Sequence, residues 1–153
     1  MRTKFITAAS GSALVIAAAL IGFYEGNHTN AYNDPIGIPT ICYGHTASAK
    51  IGQTVSESRC DELLAADLGL AFKSLDSYAT VSMPPTRRAA LASFIYNVGE
   101  GAFQKSTLLK KLNTGDTAGA CAELSRWVYA DGVVLTGLVN RRAAERELCE
   151  EGL

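Results

Sequence analysis

Residues 25–46, EGNHTNAYNDPIGIPTICYGHT, contain two carboxylates separated by a short polar connection. Glu25 follows an apolar segment, and Asp34 precedes Pro35, which disfavours helical geometry at the aspartate. Gly37 suits a turn. The apolar residues around this turn are of the kind that a small hairpin packs on; they are Ile36, Ile38, Ile41 and Tyr43. The stretch therefore predicts a helix end followed by a turn and a hairpin, with one carboxyl group on each part.

These two carboxyl groups are expected to lie in different environments, one beside an apolar helix and one on a polar hairpin. Such environments push carboxyl pKa values apart, which leaves one group protonated and the other ionised. A pair of that kind can cleave a glycosidic bond. The spacing alone is weak evidence, because two acids nine positions apart are also common in solvated loops.

The surrounding residues make the pattern specific. Glu25, Asp34 and Thr40, with the tail Ile41-Cys42-Tyr43-Gly44-His45-Thr46, resemble the Glu/Asp/Thr catalytic motif of phage-type lysozymes, the muramidases used as endolysins. Cys42 departs from the family pattern, since many members carry glycine at that position. This departure points to a subfamily with disulfides.

The resemblance covers about residues 25–149 and is strongest in its first third. It implies an α+β, mainly helical fold: a lysozyme-like, two-lobed structure with a small β-hairpin lobe and a larger helical lobe, preceded by an N-terminal apolar helix. A chain of 153 residues is long enough for one domain with a substantial core. We therefore expect an N-terminal signal-anchor-release segment over residues 1–23 and a lysozyme catalytic domain over residues 24–153.

Residues 5–23 contain no charged side chain, and Arg2 and Lys4 precede them. The segment is long enough to cross a hydrocarbon core of about 30 Å, but its alanine, serine, threonine and glycine residues make it weakly apolar. Three interpretations remain: a reversible membrane anchor, a cleaved signal peptide, or a core helix of a cytosolic protein. The anchor is favoured, because cleavage would deprive Glu25 of the helix that positions it.

This arrangement resembles signal-arrest-release endolysins, whose N-terminal segment first tethers the enzyme in the inner membrane and later leaves it. The positive-inside rule places the N-terminus in the cytoplasm and the remaining chain on the periplasmic side. Moving about three positive charges outward costs about 2.3 kcal/mol per charge per 100 mV, so loss of the membrane potential favours release to the periplasm. Because Glu25 adjoins the segment, and Ala9, Ala13 and Ala17 offer a small-residue face for packing, we expect release and completion of the active site to coincide.

Four cysteines follow this segment: Cys42, Cys60, Cys121 and Cys149. An even number in an exported domain indicates disulfides, although four free thiols remain the alternative. Of the three possible pairings, loop lengths and a two-lobed layout favour Cys42 with Cys60 and Cys121 with Cys149, each worth about 3 kcal/mol. No metal is expected, because no Cys-x-x-Cys pair occurs and His28 and His45 lack ligand spacing. A net charge of −1 gives no case for nucleic-acid binding.

Helix start and stop signals divide the remaining chain. They are a capping box at Thr54–Glu57 that opens a helix to about Leu75, a break at Pro84-Pro85, a helix from Thr86 to Gly99, a turn-rich link over residues 97–103, an N-cap at Ser106, a stop at residues 113–115, a helix from Asp116 through Trp127, a turn at Asp131-Gly132 and a last helix over Thr136 to Cys149. Trp127 is expected in the core rather than as a sugar platform.

The family resemblance assigns roles to further residues. His45 and Asp67 correspond to a buried ion pair, so His45 is expected to be structural. Thr46, Tyr96 and Ser106 match substrate-cleft positions. The alternatives are a hairpin-end role for Thr46, a core role for Tyr96 and a helix cap for Ser106.

The resemblance implies hydrolysis of the β-1,4 bond between N-acetylmuramic acid and N-acetylglucosamine in peptidoglycan, leading to host cell lysis by a monomeric enzyme without a cofactor. Glu25 would donate the proton, ionised Asp34 would orient water or stabilise positive charge, and Thr40 would hold the water. Inversion at the anomeric carbon is implied by the family alone. The alternatives are a lytic transglycosylase, which does not need Asp34, and a non-catalytic, membrane-tethered peptidoglycan-binding protein.

Overall fold

The computed structural model describes residues 12–153. This part of the chain is mainly helical, with two small antiparallel sheets. Its helices are α1 (Ala13–Glu25), α2 (Glu57–Tyr78), α3 (Pro85–Val98), α4 (Glu100–Gln104), α5 (Thr107–Asn113), α6 (Thr117–Glu123), a 3-10 turn (Leu124–Arg126) and α7 (Thr136–Glu150). Its strands are β1 (His28–Asn33), β2 (Pro39–Cys42), β3 (Tyr129–Ala130) and β4 (Val133–Val134). The mainly helical α+β architecture expected from the sequence is thereby confirmed.

The predicted hairpin is formed by β1 and β2. Tyr32 lies opposite Thr40 in the antiparallel register, and the ladder is irregular between His28 and Tyr32. Ile41 is buried beneath the hairpin, as expected. Ile36 and Ile38 are 79% and 41% exposed, so the expectation that they pack under the hairpin is wrong. Neither belongs to the buried cluster of this lobe, which consists of Ile41, Cys42, Cys60 and Leu63.

The core of the helical lobe forms around α3, which packs against α1, α2 and α7. Helix α1 contributes four fully buried residues, Ile16, Ala17, Leu20 and Ile21. Their i, i+4 spacing places them along one face of the helix. Burying an isoleucine or leucine stabilises a fold by about 1.5–3 kcal/mol. Helix α1 is therefore an integral part of this core.

Helix α1 includes only part of the predicted apolar segment. Residues 1–11, and with them the first part of the 5–23 segment and Ala9 of its small-residue face, lie outside the described residues. Ser12 caps the helix by accepting a hydrogen bond from the Val15 amide at 3.4 Å. From there α1 continues without a break to Glu25, and Gly26 ends it with a φ of +69°. An apolar helix over the whole predicted range stays a prediction.

Within residues 12–153, no helix combines the length and the apolar character that crossing a bilayer requires.

The start of α2 differs from the sequence prediction. Ser56, and not Thr54, is the N-cap, because its Oγ accepts a hydrogen bond from the Arg59 amide at 3.1 Å. The Thr54 hydroxyl instead donates to Asn30 Oδ1 at 2.7 Å and ties the helix entry to β1. The capping box predicted at Thr54–Glu57 is therefore wrong by two residues.

Other boundaries agree more closely with the sequence. Gly99 ends α3, and Ser106 and Asp116 accept capping hydrogen bonds from Leu109 and Gly119. The short helix α4 lies within the stretch predicted as a turn-rich link. Helix α6 gives way to the 3-10 turn after Glu123, although the sequence predicts one helix through Trp127.

Two disulfides link the elements in the pairing that the sequence favours. Cys42–Cys60 joins the end of β2 to α2, and Cys121–Cys149 joins α6 to α7. Cys42 has a φ of +59°, in the left-handed region that glycine adopts most readily. This backbone conformation explains why many members of the family that the sequence resembles carry glycine at this position.

Candidate active site

Glu25 is the last residue of α1, and its side chain is 27% exposed. Its Oε1 accepts a hydrogen bond from Arg141 Nη1 on α7 at 2.5 Å. The preceding residue, Tyr24, donates its hydroxyl to the Asn140 carbonyl at 3.0 Å. Two consecutive residues therefore fix the end of α1 against two consecutive residues of α7.

The hairpin reaches Glu25 through Gly44. A Cβ on Gly44 would lie 3.6 Å from Glu25 Oε2, which is ordinary van der Waals distance. Gly44 also has a φ of +86°, which disfavours other residues. Because Arg141 binds Glu25, the environment of this carboxylate is polar on one side, whereas the sequence predicts apolar surroundings.

Arg141 belongs to a buried polar cluster that the sequence did not indicate as part of the site. Its Nε donates to Glu145 Oε1 at 3.2 Å, and Arg142 donates to the other oxygen of Glu145. Ser93 on α3 donates its hydroxyl to Glu145 at 2.8 Å. The i, i+4 spacing of Arg141 and Glu145 is visible in the sequence, whereas the contact between Arg141 and Glu25 spans 116 positions and has no local signal.

Asp34 is held by the backbone of its own turn. Its Oδ1 accepts hydrogen bonds from the amides of Ile36 and Ile38, at 3.0 and 2.8 Å. The Gly37 amide also donates to the Asp34 carbonyl at 2.9 Å. Backbone amides of the turn therefore fix the orientation of this carboxylate.

Thr40 is nearly buried, with 4% of its surface exposed. Its hydroxyl donates to the Ile38 carbonyl at 3.0 Å, on the same turn that holds Asp34. The hydroxyl hydrogen is used in this bond, so the oxygen lone pairs are left to accept from another group.

A cleft of about 690 Å³ separates the β1–β2 turn from the helical lobe. It is lined by Asp34, Pro35 and Ile36 on one side and by Asn97, Val98, Arg126, Trp127, Tyr129, Ala130, Leu135, Leu138 and Arg142 on the other. Trp127 is half-buried and packs edge-on against Phe94 at 5.1 Å, as its expected core role requires. It also faces the cleft.

Helix α7 connects the two carboxylates. Arg141 binds Glu25, and the next residue, Arg142, lines the cleft opposite Asp34. Glu25 does not line this cleft itself; it is connected to the cleft wall through Arg141 and the adjacent Arg142.

The predicted substrate residues lie in two further pockets. Thr46 and Tyr96 line a pocket of about 270 Å³ beside the hairpin end. The Tyr96 hydroxyl donates to the Tyr43 carbonyl at 2.6 Å. Burial, then the nearby charges of Asp67 and Glu25, raises the pKa of Tyr96 well above its ordinary value, so its hydroxyl stays neutral.

Ser106 lines a pocket of about 470 Å³ with Arg126 and Trp127. Its hydroxyl donates to the Phe103 carbonyl at 2.7 Å and accepts from the Leu109 amide at 3.0 Å. The side chain is therefore engaged as a helix cap, the structural alternative weighed from the sequence.

His45 and Asp67 form the predicted pair, with 2.7 Å between Nδ1 and Oδ2. The Ser48 amide donates to His45 Nε2 at 3.1 Å, so the hydrogen of a neutral imidazole lies on Nδ1 and points at Asp67. The pair links the hairpin end to α2 and lies beside Tyr96. Among residues 12–153, no three His, Cys, Asp or Glu side chains are grouped as metal ligands would be.

Comparison with known proteins identifies the family. Residues 22–145 match the family model described as phage lysozyme. The SAR-endolysin of Bacteriophage PS119 is 43% identical over 156 residues, which cover 97% of this chain and 93% of that protein.

Solved structures of similar proteins agree. The muramidase domain of SpmX from Asticaccaulis excentricus has a TM-score of 0.83 at 32% identity, covering 88% of this chain and 94% of that domain. The endolysin from Escherichia coli O157:H7 phage FAHEc1 has a TM-score of 0.81 at 30% identity, covering 90% of this chain and 92% of that one. The chain therefore belongs to the phage lysozyme family and is a glycoside hydrolase of the lysozyme type, a family that acts on peptidoglycan.

Proposed function

We propose that this lysozyme is an endolysin that hydrolyses the β-1,4 bond between N-acetylmuramic acid and N-acetylglucosamine, with Glu25 as the proton donor. The observation that supports the proposal is that Glu25 is bound by Arg141, while the next residue, Arg142, lines the cleft opposite Asp34. Glu25 is 27% exposed, so its free oxygen can reach a leaving-group oxygen. General acid catalysis of this kind typically contributes 10²–10⁴-fold.

Asp34 serves as the carboxylate partner. Two amide hydrogen bonds hold its side chain in the turn that lines the cleft. It then either orients the attacking water or stabilises positive charge on the sugar ring. Thr40, whose hydroxyl oxygen still has free lone pairs, helps to hold that water. Inversion of the anomeric centre, which the family resemblance implies, requires room for a water between the carboxylates.

Thr46, Tyr96 and Ser106 are proposed to contribute to substrate binding in different ways. Thr46 is exposed at the hairpin end and is available for direct contact. Tyr96 and Ser106 have hydroxyls bound to backbone groups, so they contribute by shaping the pocket walls.

We further propose that residues 5–23 tether the enzyme to the host inner membrane before it is released to the periplasm, where it acts as a monomer. The SAR-endolysin names of its relatives and the uncharged character of the segment support this. Exposing Ile16, Leu20 and Ile21 to water would cost about 5–9 kcal/mol in total, and docking α1 on the helical lobe removes that cost. Docking also brings Glu25 to Arg141, so release and assembly of the site are one event.

The catalytic proposal is tested by Glu25→Gln and Asp34→Asn on purified peptidoglycan, with release of reducing ends as the readout. We expect both variants to lose at least about 100-fold in rate. Full activity of Glu25→Gln would refute the assignment. A product with anhydro ends, together with an active Asp34→Asn enzyme, would identify a lytic transglycosylase instead.

The tethering proposal is tested by fractionating cells that express the full-length chain, before and after addition of an uncoupler. We expect membrane-bound, inactive protein to become soluble and active. Full activity of the membrane-bound form on purified peptidoglycan would show that release and site assembly are separate events.

A further inference from the structure

The carboxylate side chain of Glu145 is completely buried within the helical lobe. Its Oε1 accepts from Ser93 Oγ at 2.8 Å and from Arg141 Nε at 3.2 Å, and its Oε2 accepts from Arg142 Nη1. Taking a carboxylate out of water costs several kcal/mol unless charged partners compensate it. Two guanidinium groups provide that compensation here.

The first of these, Arg141, is oriented by its neighbours. Its Nε points to Glu145, and its Nη2 lies 3.3 Å from the Ser93 carbonyl. With these nitrogens engaged, the planar group directs Nη1 toward Glu25, at 2.5 Å. Arg141 is only 4% exposed, so the position of its Nη1 depends on Glu145 and Ser93 and not on solvent.

The second, Arg142, reaches the cleft wall. Its Nε donates to the Trp127 carbonyl at 3.0 Å, and its Nη2 donates to Asn97 Oδ1. Its guanidinium also lies over the Phe94 ring, 5.0 Å from the centroid. Through these contacts Glu145 holds one arginine toward the proton donor and the other toward the cleft.

Arg141 is shared between two carboxylates. It contacts Glu25 at 2.5 Å through Nη1 and Glu145 at 3.2 Å through Nε. The position that Arg141 gives to Glu25 therefore depends on Glu145. The other titratable groups around these carboxylates are Tyr24 on α1, Tyr96 on α3 and Arg142 on α7.

Neither tyrosine adds a negative charge beside Arg141. Burial raises the pKa of both Tyr24 and Tyr96 above the ordinary value, so both remain neutral over the pH range of the enzyme. Arg142 remains charged, although burial lowers its pKa. Glu145 is therefore the anionic group that acts directly on Arg141 besides Glu25 itself.

We infer that Glu145 is a positioning residue for the proton donor: by holding Arg141, it keeps Glu25 oriented in the site. The inference rests on the proposed role of Glu25 as general acid. It assigns a catalytic consequence to a side chain that cannot touch substrate.

The test is Glu145→Gln, assayed for kcat and KM on solubilised peptidoglycan fragments. Without the carboxylate of Glu145, Arg141 no longer holds Glu25 in its orientation. We therefore expect kcat at pH 7 to fall about tenfold, with KM changed less than about twofold.

The matched control is Glu150→Gln on the same helix. Glu150 pairs with Arg146 at the same i, i+4 spacing, at 2.6 Å, but the pair is partly exposed and separate from Glu25. We expect kcat of this variant to match that of the wild type. Glu145→Asp retains a carboxylate that can bind Arg141 and should recover part of the kcat that Glu145→Gln loses.

A folded Glu145→Gln enzyme with an unchanged kcat would overturn the inference. If Glu25→Gln were inactive in the same assay, the proposed function would survive that result. Should Glu145→Gln not fold by circular dichroism, Ser93→Ala carries the test, because it removes the hydroxyl that donates to Glu145 and accepts from Arg141 Nη2 at 3.4 Å. We expect kcat of this variant to fall about threefold at constant KM, and an unchanged kcat would again overturn the inference.

Discussion

The two carboxylates of the site are held in opposite ways. Asp34 is fixed by amides two and four positions along the chain. Glu25 is fixed by Arg141, 116 positions away, and only when α1 and α7 are both docked on the helical lobe. Disrupting the core should therefore affect Glu25 strongly and Asp34 little.

The largest effect is expected for Arg141→Met. Methionine fills much of the same space, but Glu145 loses one of its two cationic partners in the interior. Breaking a buried pair in this way costs about 3–5 kcal/mol, so the free energy of unfolding in urea at pH 7 should fall by about that amount.

Arg146→Met is the control for this variant. Its pair with Glu150 is partly exposed, and its removal should cost less than about 1 kcal/mol. Equal losses in the two variants would mean that the buried cluster does not stabilise the docked helices.

Leu20→Ala tests the docking of α1 itself. Leu20 is fully buried in the core five residues before Glu25. The substitution should lower the free energy of unfolding by about 2–5 kcal/mol through the cavity that it leaves. Val15→Ala, at a position that is 56% exposed on the same helix, should change it by no more than about 0.5 kcal/mol.

Equal stabilities for these two variants would show that α1 is not docked in solution. Activity should follow the same order, since loosening α1 moves Glu25 away from Arg141.

The contrast between local and distant contacts also describes how far the sequence could predict the structure. The turn at Asp34, the helix end at Gly99 and the cap at Ser106 depend on residues within a few positions, and each was predicted. The sequence predicts the N-cap of α2 two residues too early, because Thr54 and Ser56 are equally suited to capping. The Thr54 hydroxyl binds Asn30 on β1, and Ser56 caps the helix.

The same reason explains which site residues the sequence does not predict. Arg141 and Glu145 fall within the predicted last helix, but their roles have no local signal, because their partners Glu25 and Ser93 come from other elements. Glu25, Asp34 and Thr40 were predicted from a family motif, and their catalytic roles remain proposals.

Asp34 is the carboxylate that is held by contacts within its own turn. Asparagine at this position keeps an oxygen that can accept from the amides of Ile36 and Ile38, so Asp34→Asn should change the free energy of unfolding by less than about 0.5 kcal/mol. Asp34→Ala removes the acceptor and should cost about 1 kcal/mol. Both variants should be inactive on peptidoglycan, which separates the turn-forming role from the catalytic one. A loss for Asp34→Asn as large as that for Arg141→Met would break the comparison.

The smallest effect is expected at Glu123, whose carboxylate pairs with one residue that is close in sequence and one that is farther away along the chain. Arg126 lies three positions away at 3.1 Å, and Lys111 on α5 lies at 2.8 Å. Both lower the pKa of Glu123, and the hydrogen bond from Lys111 has the larger effect. The resulting stabilisation is complete above the unfolded value, about 4.5, and is lost as the pH falls through the lower folded pKa.

The wild-type protein should therefore lose some stability between pH 6 and pH 3 through Glu123, by less than about 1 kcal/mol because its partners are partly exposed. Lys111→Met should reduce this pH-dependent loss more than Arg126→Met, as measured by urea midpoints at the two pH values. The reverse order would show that proximity in sequence outweighs the hydrogen bond from the neighbouring helix. Because Lys111 is the less exposed partner, at 37% against 73% for Arg126, screening by solvent weakens its contact less. The more distant partner in sequence should then dominate at Glu123, as it does at Glu25.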